Sequence, residues 1–150
     1  PERRVFVEKL NDKLLEQGCE LVIKEVKSGY TATYQLEKKT VMNWVFRKTG
    51  IWARIYGDNA GRYEEVIAAL PADMQKKMTA SRDCKRLIDP DACSGTCVKG
   101  FVYSLNGETQ KKCRNDGMLF LLTEETAEYI AGLICAEVAV RKLALQQLNR

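Results

Sequence analysis

The sequence predicts an α+β fold: one domain over 1–150, with an antiparallel sheet of five to seven strands and the N- and C-terminal helices packed on one face. Three observations predict it. A length of 150 residues suits one domain that can enclose its own core. A composition of 45% hydrophobic and 29% charged residues is that of a folded chain. Helical apolar spacing stands at the two ends and briefly in the middle, while the segments between alternate with period two and are separated by turn residues.

Residues 3–17 read as a helix, because Val7, Leu10 and Leu14 share a face and Gly18 supplies a stop. Cys19 to Val26 is rich in β-branched residues and reads as a strand. Ser28-Gly29 is a turn, and Tyr30, Ala32, Tyr34 and Leu36 then alternate with polar residues as in a half-buried strand. Glu37-Lys38-Lys39 is a charged loop, Val41 to Arg47 a third strand, Lys48-Thr49-Gly50 a tight turn and Ile51 to Tyr56 a fourth strand. Residues 62–70 place Tyr63, Val66, Ile67 and Leu70 on one helical face before Pro71, and a polar helix is expected over 72–79. Residues 80–100 read as a long irregular loop, a length that usually serves a function or is pinned by something.

Phe101 to Leu105 and Glu108 to Cys113 flank Asn106-Gly107, a type I′ hairpin signal. Met118 to Leu122 is a buried strand. Thr123 is an N-cap candidate for a last helix from about 124 to the end, with Ile130, Ile134 and Val138 in one stripe. Tyr34–Thr40 resembles Tyr103–Thr109, and each is followed by a glycine turn, a strand and a helix. The likeness reads either as a duplicated hairpin–strand–helix unit over 30–70 and 101–138 or as the chance agreement of two meanders. In layout the chain resembles the duplicated α/β ligand-binding domains of bacterial gyrase inhibitors and multidrug regulators.

Zero histidines exclude Ser-His-Asp and Cys-His nucleophilic sites, HExxH zinc proteases and histidine pH switches. Neither a Walker A loop nor GxGxxG occurs, so enzyme chemistry would rest on Cys, Lys, Tyr or carboxylates, and a non-enzymatic role is favoured. No apolar run of about 18 residues points to a membrane span. The charged opening Pro1–Lys9 lacks the apolar centre of a signal peptide, and the expectation is a cytoplasmic chain with reduced or metal-bound thiols.

Four of the six cysteines, Cys84, Cys93, Cys97 and Cys113, form C-x8-C-x3-C-x15-C. Four thiolates at about 2.3 Å suit tetrahedral zinc. Ser94-Gly95-Thr96 lets Cys93 and Cys97 turn toward one centre, and the Asn-Gly hairpin returns Cys113 toward Cys97. Lys85, Lys99, Lys111, Lys112 and Arg114 would offset the charge of such a centre. Zinc is the favoured reading; unlinked thiols, one or two disulfides, reactive thiols and an iron–sulfur centre are the alternatives. Cys19 and Cys135 sit in apolar periodic contexts and read as core. Cys93, Cys97, Gly100, Tyr103, Lys112-Cys113-Arg114 and Phe120 resemble bacterial four-cysteine proteins with Cys-x3-Cys-x2-Gly, an aromatic hairpin and Lys-Cys-Arg before a Phe-rich strand. That resemblance covers about a third of the chain and implies no activity.

Aromatic residues crowd between Tyr30 and Tyr63. Alternation puts Trp44 with Phe46 on one face and Trp52 with Tyr56 on another. The favoured reading is that most are simply core; the alternative makes Tyr34, Trp44, Phe46, Trp52, Arg54 and Tyr56 candidates to hold a small apolar or aromatic ligand. Stacked aromatics near arginines also suit single-stranded nucleic acid, but a net charge of only +4 favours the small molecule. The reading is thus a non-enzymatic small-molecule-binding or accessory domain with a structural zinc, against a thiol redox or sensor protein and a nucleic-acid module. The sequence leaves the oligomeric state open.

Overall fold

The structure is a computed structural model that describes residues 2–27, 29–89, 91 and 98–148. Helix α1 (Glu2–Glu16) ends where Gly18 takes φ of 93°. There the Cys19 amide donates to the Leu14 carbonyl and the Gly18 amide to that of Leu15, each at 3.0 Å. This Schellman closure satisfies the last carbonyls and needs a residue that tolerates the left-handed region.

Strands β1 (Glu20–Val26), β2 (Gly29–Leu36), β3 (Lys39–Arg47) and β4 (Gly50–Ile55) form an antiparallel meander. The expected charged loop between β2 and β3 is a two-residue turn, with Glu37 and Lys38 at φ of 51° and 66°. A turn of two positive-φ residues matches the twist of the flanking strands. A 3₁₀ turn (Ala60–Arg62) and helix α2 (Glu64–Ala68) replace the single helix expected over 62–70. The break falls at Tyr63, whose ψ of 43° leaves the helical region. Helices α3 (Ala72–Ala80) and α4 (Lys85–Ile88) follow, the latter inside the stretch expected to be irregular.

Strands β5 (Phe101–Leu105) and β6 (Glu108–Lys112) form a separate two-stranded sheet, with Asn106 and Gly107 at positive φ in its turn. Strand β7 (Leu119–Leu121) returns to the first sheet, whose order is β1-β2-β3-β4-β7. The stretches read as alike are therefore both Tyr-x-Leu hairpins with two-residue turns. Their next strands differ, since β4 pairs with its own hairpin while β7 pairs with β4. Helix α5 (Ala127–Leu148) closes the chain. It begins three residues later than expected, after a turn in which the Thr126 amide donates to Thr123 Oγ1 at 3.2 Å and the Thr123 amide to Thr126 Oγ1 at 2.9 Å. That reciprocal pair has the geometry of a capping box.

The alternation of the central strands defines the core. Tyr34, Met42, Trp44, Ala53, Ile55 and Phe120 are buried on one face. Helix α5 lies against β3 and β4, α1 lies against β1 and α5, and Leu10, Leu14, Ile130, Leu133, Ile134 and Val138 complete that layer. Phe101, Tyr103 and Leu105 of β5 join the same core, next to α2.

Candidate functional site

Residues 82–84 run alongside the outer edge of β6. The Cys84 amide donates to the Lys111 carbonyl at 2.9 Å, and the Cys113 amide to the Arg82 carbonyl at 2.8 Å, with Asp83 bridged to Lys112 between them. The antiparallel pleat puts Cys84 and Cys113 on one side of this ribbon as diagonal neighbours. Such neighbours stand about 7–8 Å apart, beyond the usual reach of a disulfide and within the span of two thiolates on one zinc. Both are free thiols, Cys84 buried and Cys113 half-buried.

The Cys84 sulfur has a built surrounding. The Gly100 amide donates to Sγ at 3.3 Å, and the N–H groups of Leu87 and Arg86 in the first turn after Cys84 favour its charged form without a capping hydrogen bond. Burial alone would push this thiol up. The three N–H groups and the Arg86 charge outweigh it and hold the pKa below the ordinary thiol value, because they stabilise the thiolate. Residues 98–100 cross the ribbon here. A Cβ at Gly100 would collide with the Lys112 carbonyl and lie 3.0 Å from Cβ of Cys84, so only glycine fits. Cys93 and Cys97 lie outside the described residues. Among the described residues no group of three or more His, Cys, Asp or Glu is assembled for a metal.

Two of the five cations expected around the cysteines are committed elsewhere. Lys112 is 3% exposed, and its Nζ donates to Thr79 O at 2.8 Å, Ser81 O at 3.0 Å and Asp83 Oδ1 at 2.7 Å. Its side chain follows Phe101 to the core side of the hairpin, away from the side that carries the cysteines. Arg114 grips Asp58 and lies 4.2 Å over the Tyr56 ring.

The six aromatic-strand candidates do not share a surface. Tyr34 and Trp44 are each 2% exposed, and the Tyr34 hydroxyl is spent on Asn11 Oδ1 at 2.7 Å. Phe46 lies on the same face of the sheet but at its uncovered end, 47% exposed. Trp52 and Arg54 project from the opposite face. The Trp52 ring meets Lys77 Nζ at 4.4 Å and the Arg47 guanidinium at 5.6 Å, Arg54 donates to the Asn115 carbonyl, and Tyr56 is buried under Arg114. Phe46 does line an open apolar groove of about 460 Å³ with Ile23, Gly29, Tyr30, Thr31 and Ala32. Cys19 is buried as expected, whereas Cys135 is half-buried.

Sequence reasoning missed a buried polar network. Glu137 of α5 is fully buried and accepts from the Asn59 amide (3.0 Å), Asn59 Nδ2, the Tyr63 hydroxyl and Arg141 Nε (each 2.7 Å). Arg141 continues to the carbonyls of Thr40 and Tyr56 and to Asp58. The signal was the i,i+4 spacing of Glu137 and Arg141 inside an apolar stripe. None of its buried side-chain polar atoms lacks a partner, which makes the network a clamp between α5 and the turn after β4.

Set against known protein families, curated proteins and solved structures, the chain matches none.

Proposed function

We propose that the chain is a non-enzymatic binding or accessory domain whose cysteine loop folds around a structural zinc held by Cys84, Cys93, Cys97 and Cys113. The observation that carries this reading is the Cys84 sulfur. The Gly100 amide donates to it, and the nearby Leu87 and Arg86 N–H groups add to an environment that favours the thiolate, the form that ligates zinc. Cys113 stands on the same side of the adjoining segment. Cys97 enters from its position three residues before Gly100, and Cys93 from its spacing to Cys97. Zinc at this point would contribute folding free energy on the order of 10 kcal/mol. The test is metal analysis of protein purified without added zinc. About one zinc per chain is expected, with four thiols becoming titratable together on chelation and Cys84→Ser losing the metal. Metal-free protein whose cysteines react rapidly without chelator would support a thiol redox or sensor role instead.

The ligand part of the reading rests on the Phe46 groove. Its six lining residues offer an apolar floor and the exposed Tyr30 and Phe46 rings, which suit a small apolar or aromatic molecule. A hydrophobic fluorescent dye should bind the native protein saturably, and Phe46→Asp should weaken that binding without loss of native circular dichroism. Equal binding by the variant would remove the groove from consideration.

A further inference from the structure

Strand β1 ends the five-stranded sheet, and among the described residues its only strand partner is β2. Edge strands present a row of unpaired amides and carbonyls, and proteins commonly blunt them with proline, bulges or a short length. Strand β1 has none of these. It is seven residues long, contains no proline and pairs with β2 in unbroken register from Glu20 to Val26. All but Val22 are exposed, with Leu21 at 38% and Ile23 at 65%.

Its three charged residues, Glu20, Lys24 and Glu25, do restrict what can pair there. Lys24 would oppose most incoming strands unless a carboxylate faced it. A second copy of the same strand supplies that carboxylate in one register. With antiparallel pairing about a two-fold axis at Val22, Val22 faces Val22, Leu21 faces the partner's Ile23 and Glu20 faces the partner's Lys24. Symmetry repeats the last two pairs. The Leu21–Ile23 pairs fall on the helix side of the sheet, and the central Val22 pair lies with the charged pairs on the other, as the pleat requires. Neighbouring registers fail. An axis at Ile23 sets Lys24 against Val22 and Glu25 against Leu21, an axis at Lys24 sets lysine against lysine, and an axis at Leu21 sets Glu20 against Val22.

We propose that the chain forms a two-fold dimer through antiparallel pairing of β1 with the β1 of a second copy, centred on Val22, so that one sheet runs through both. Main-chain hydrogen bonds provide the attraction, and the Glu20–Lys24 pairs set the register.

Sedimentation equilibrium of the 150-residue chain should give twice the single-chain mass. Lys24→Glu places like charges opposite each other at both ends and should weaken association about tenfold. The double exchange of Glu20→Lys with Lys24→Glu recreates both pairs with reversed sign and should restore it. Both positions are exposed, so native circular dichroism is the control for folding. If a variant fails to fold, amide exchange of wild-type residues 20–26 provides the readout and should slow as concentration rises. A monomer at all concentrations, an undisturbed Lys24→Glu dimer, a double exchange that stays dissociated or concentration-independent exchange would each overturn the proposal.

Discussion

Tyr103 is 1% exposed, and its hydroxyl meets no hydrogen-bond partner among the described residues. A buried polar group left unpaired costs about 1–3 kcal/mol. Removing the oxygen while keeping the ring beside Phe101 should therefore be neutral or favourable. Tyr103→Phe is expected to raise stability by up to about 1 kcal/mol in denaturant unfolding. The same residue bears on alkaline stability. Burial pushes its pKa up to about 12 from an ordinary 10.0, and burial raises those of Tyr34 and Tyr63 as well. A raised phenol contributes stability fully below its unfolded value, and the contribution is lost as pH climbs from there through the folded value. Unfolding should set in as pH rises past about 10, and Tyr103→Phe should shift the transition upward. An unchanged alkaline midpoint would clear this tyrosine of any part in it. Gly100 is the converse case, a position with no room to spare. Gly100→Ala forces the crossing chain off Lys112 and is expected to cost about 1–3 kcal/mol. It should also weaken the amide bond to Cys84, read as a higher thiol pKa in alkylation-rate profiles.

Among the elements, α5 depends most on one residue. Glu137 ties it to Asn59 and Tyr63 and neutralises Arg141, which binds the carbonyls at the start of β3 and just past β4. Truncation leaves the 10%-exposed guanidinium without that carboxylate. Glu137→Ala should cost about 3–5 kcal/mol, measured by thermal or denaturant unfolding. A loss under about 1 kcal/mol would mean that Asp58 suffices as counter-ion. Such a clamp was hard to foresee, because a carboxylate between Ile134 and Val138 reads as an interruption of an apolar stripe until its partners from 59, 63 and 141 converge. The elements themselves were far more legible. Period-two alternation in Tyr30–Leu36, Asn106-Gly107 and the Gly18 stop are local signals with local consequences. The choice of β7 to pair with β4 is made by long-range packing of Phe120 beside Ala53, which no local pattern encodes. The candidate site divides along the same line. Alternation separated Trp44 from Trp52 correctly, but only the helix layer decides that Trp44 is covered and Phe46 is not.

Considered whole, the molecule has one apolar core and one end that the core does not hold. The five-stranded sheet, α1 and α5 bury their own side chains and need no cross-link. The ribbon of 82–84 against 111–113 runs along the outer edge of β6, fastened by two main-chain bonds, the bonds of Lys112 to Thr79, Ser81 and Asp83, and the Arg82–Asp116 ion pair. Among the described residues Leu87 and Ile88 of α4 add no fully buried side chain. If zinc holds this end, its removal should open it locally and spare the rest, because local stability follows local burial. Chelation should then speed amide exchange at Cys84, Cys113 and Gly100 by several orders of magnitude. The amides of β2, β3 and β4 should change little. Uniform loss of protection would mean that the site supports the entire core, a stronger coupling than the packing implies. Protection at Cys84 and Cys113 that is indifferent to chelator would show that the ribbon stands by its own polar contacts, and the donors around the Cys84 sulfur would then favour a charge that no metal uses.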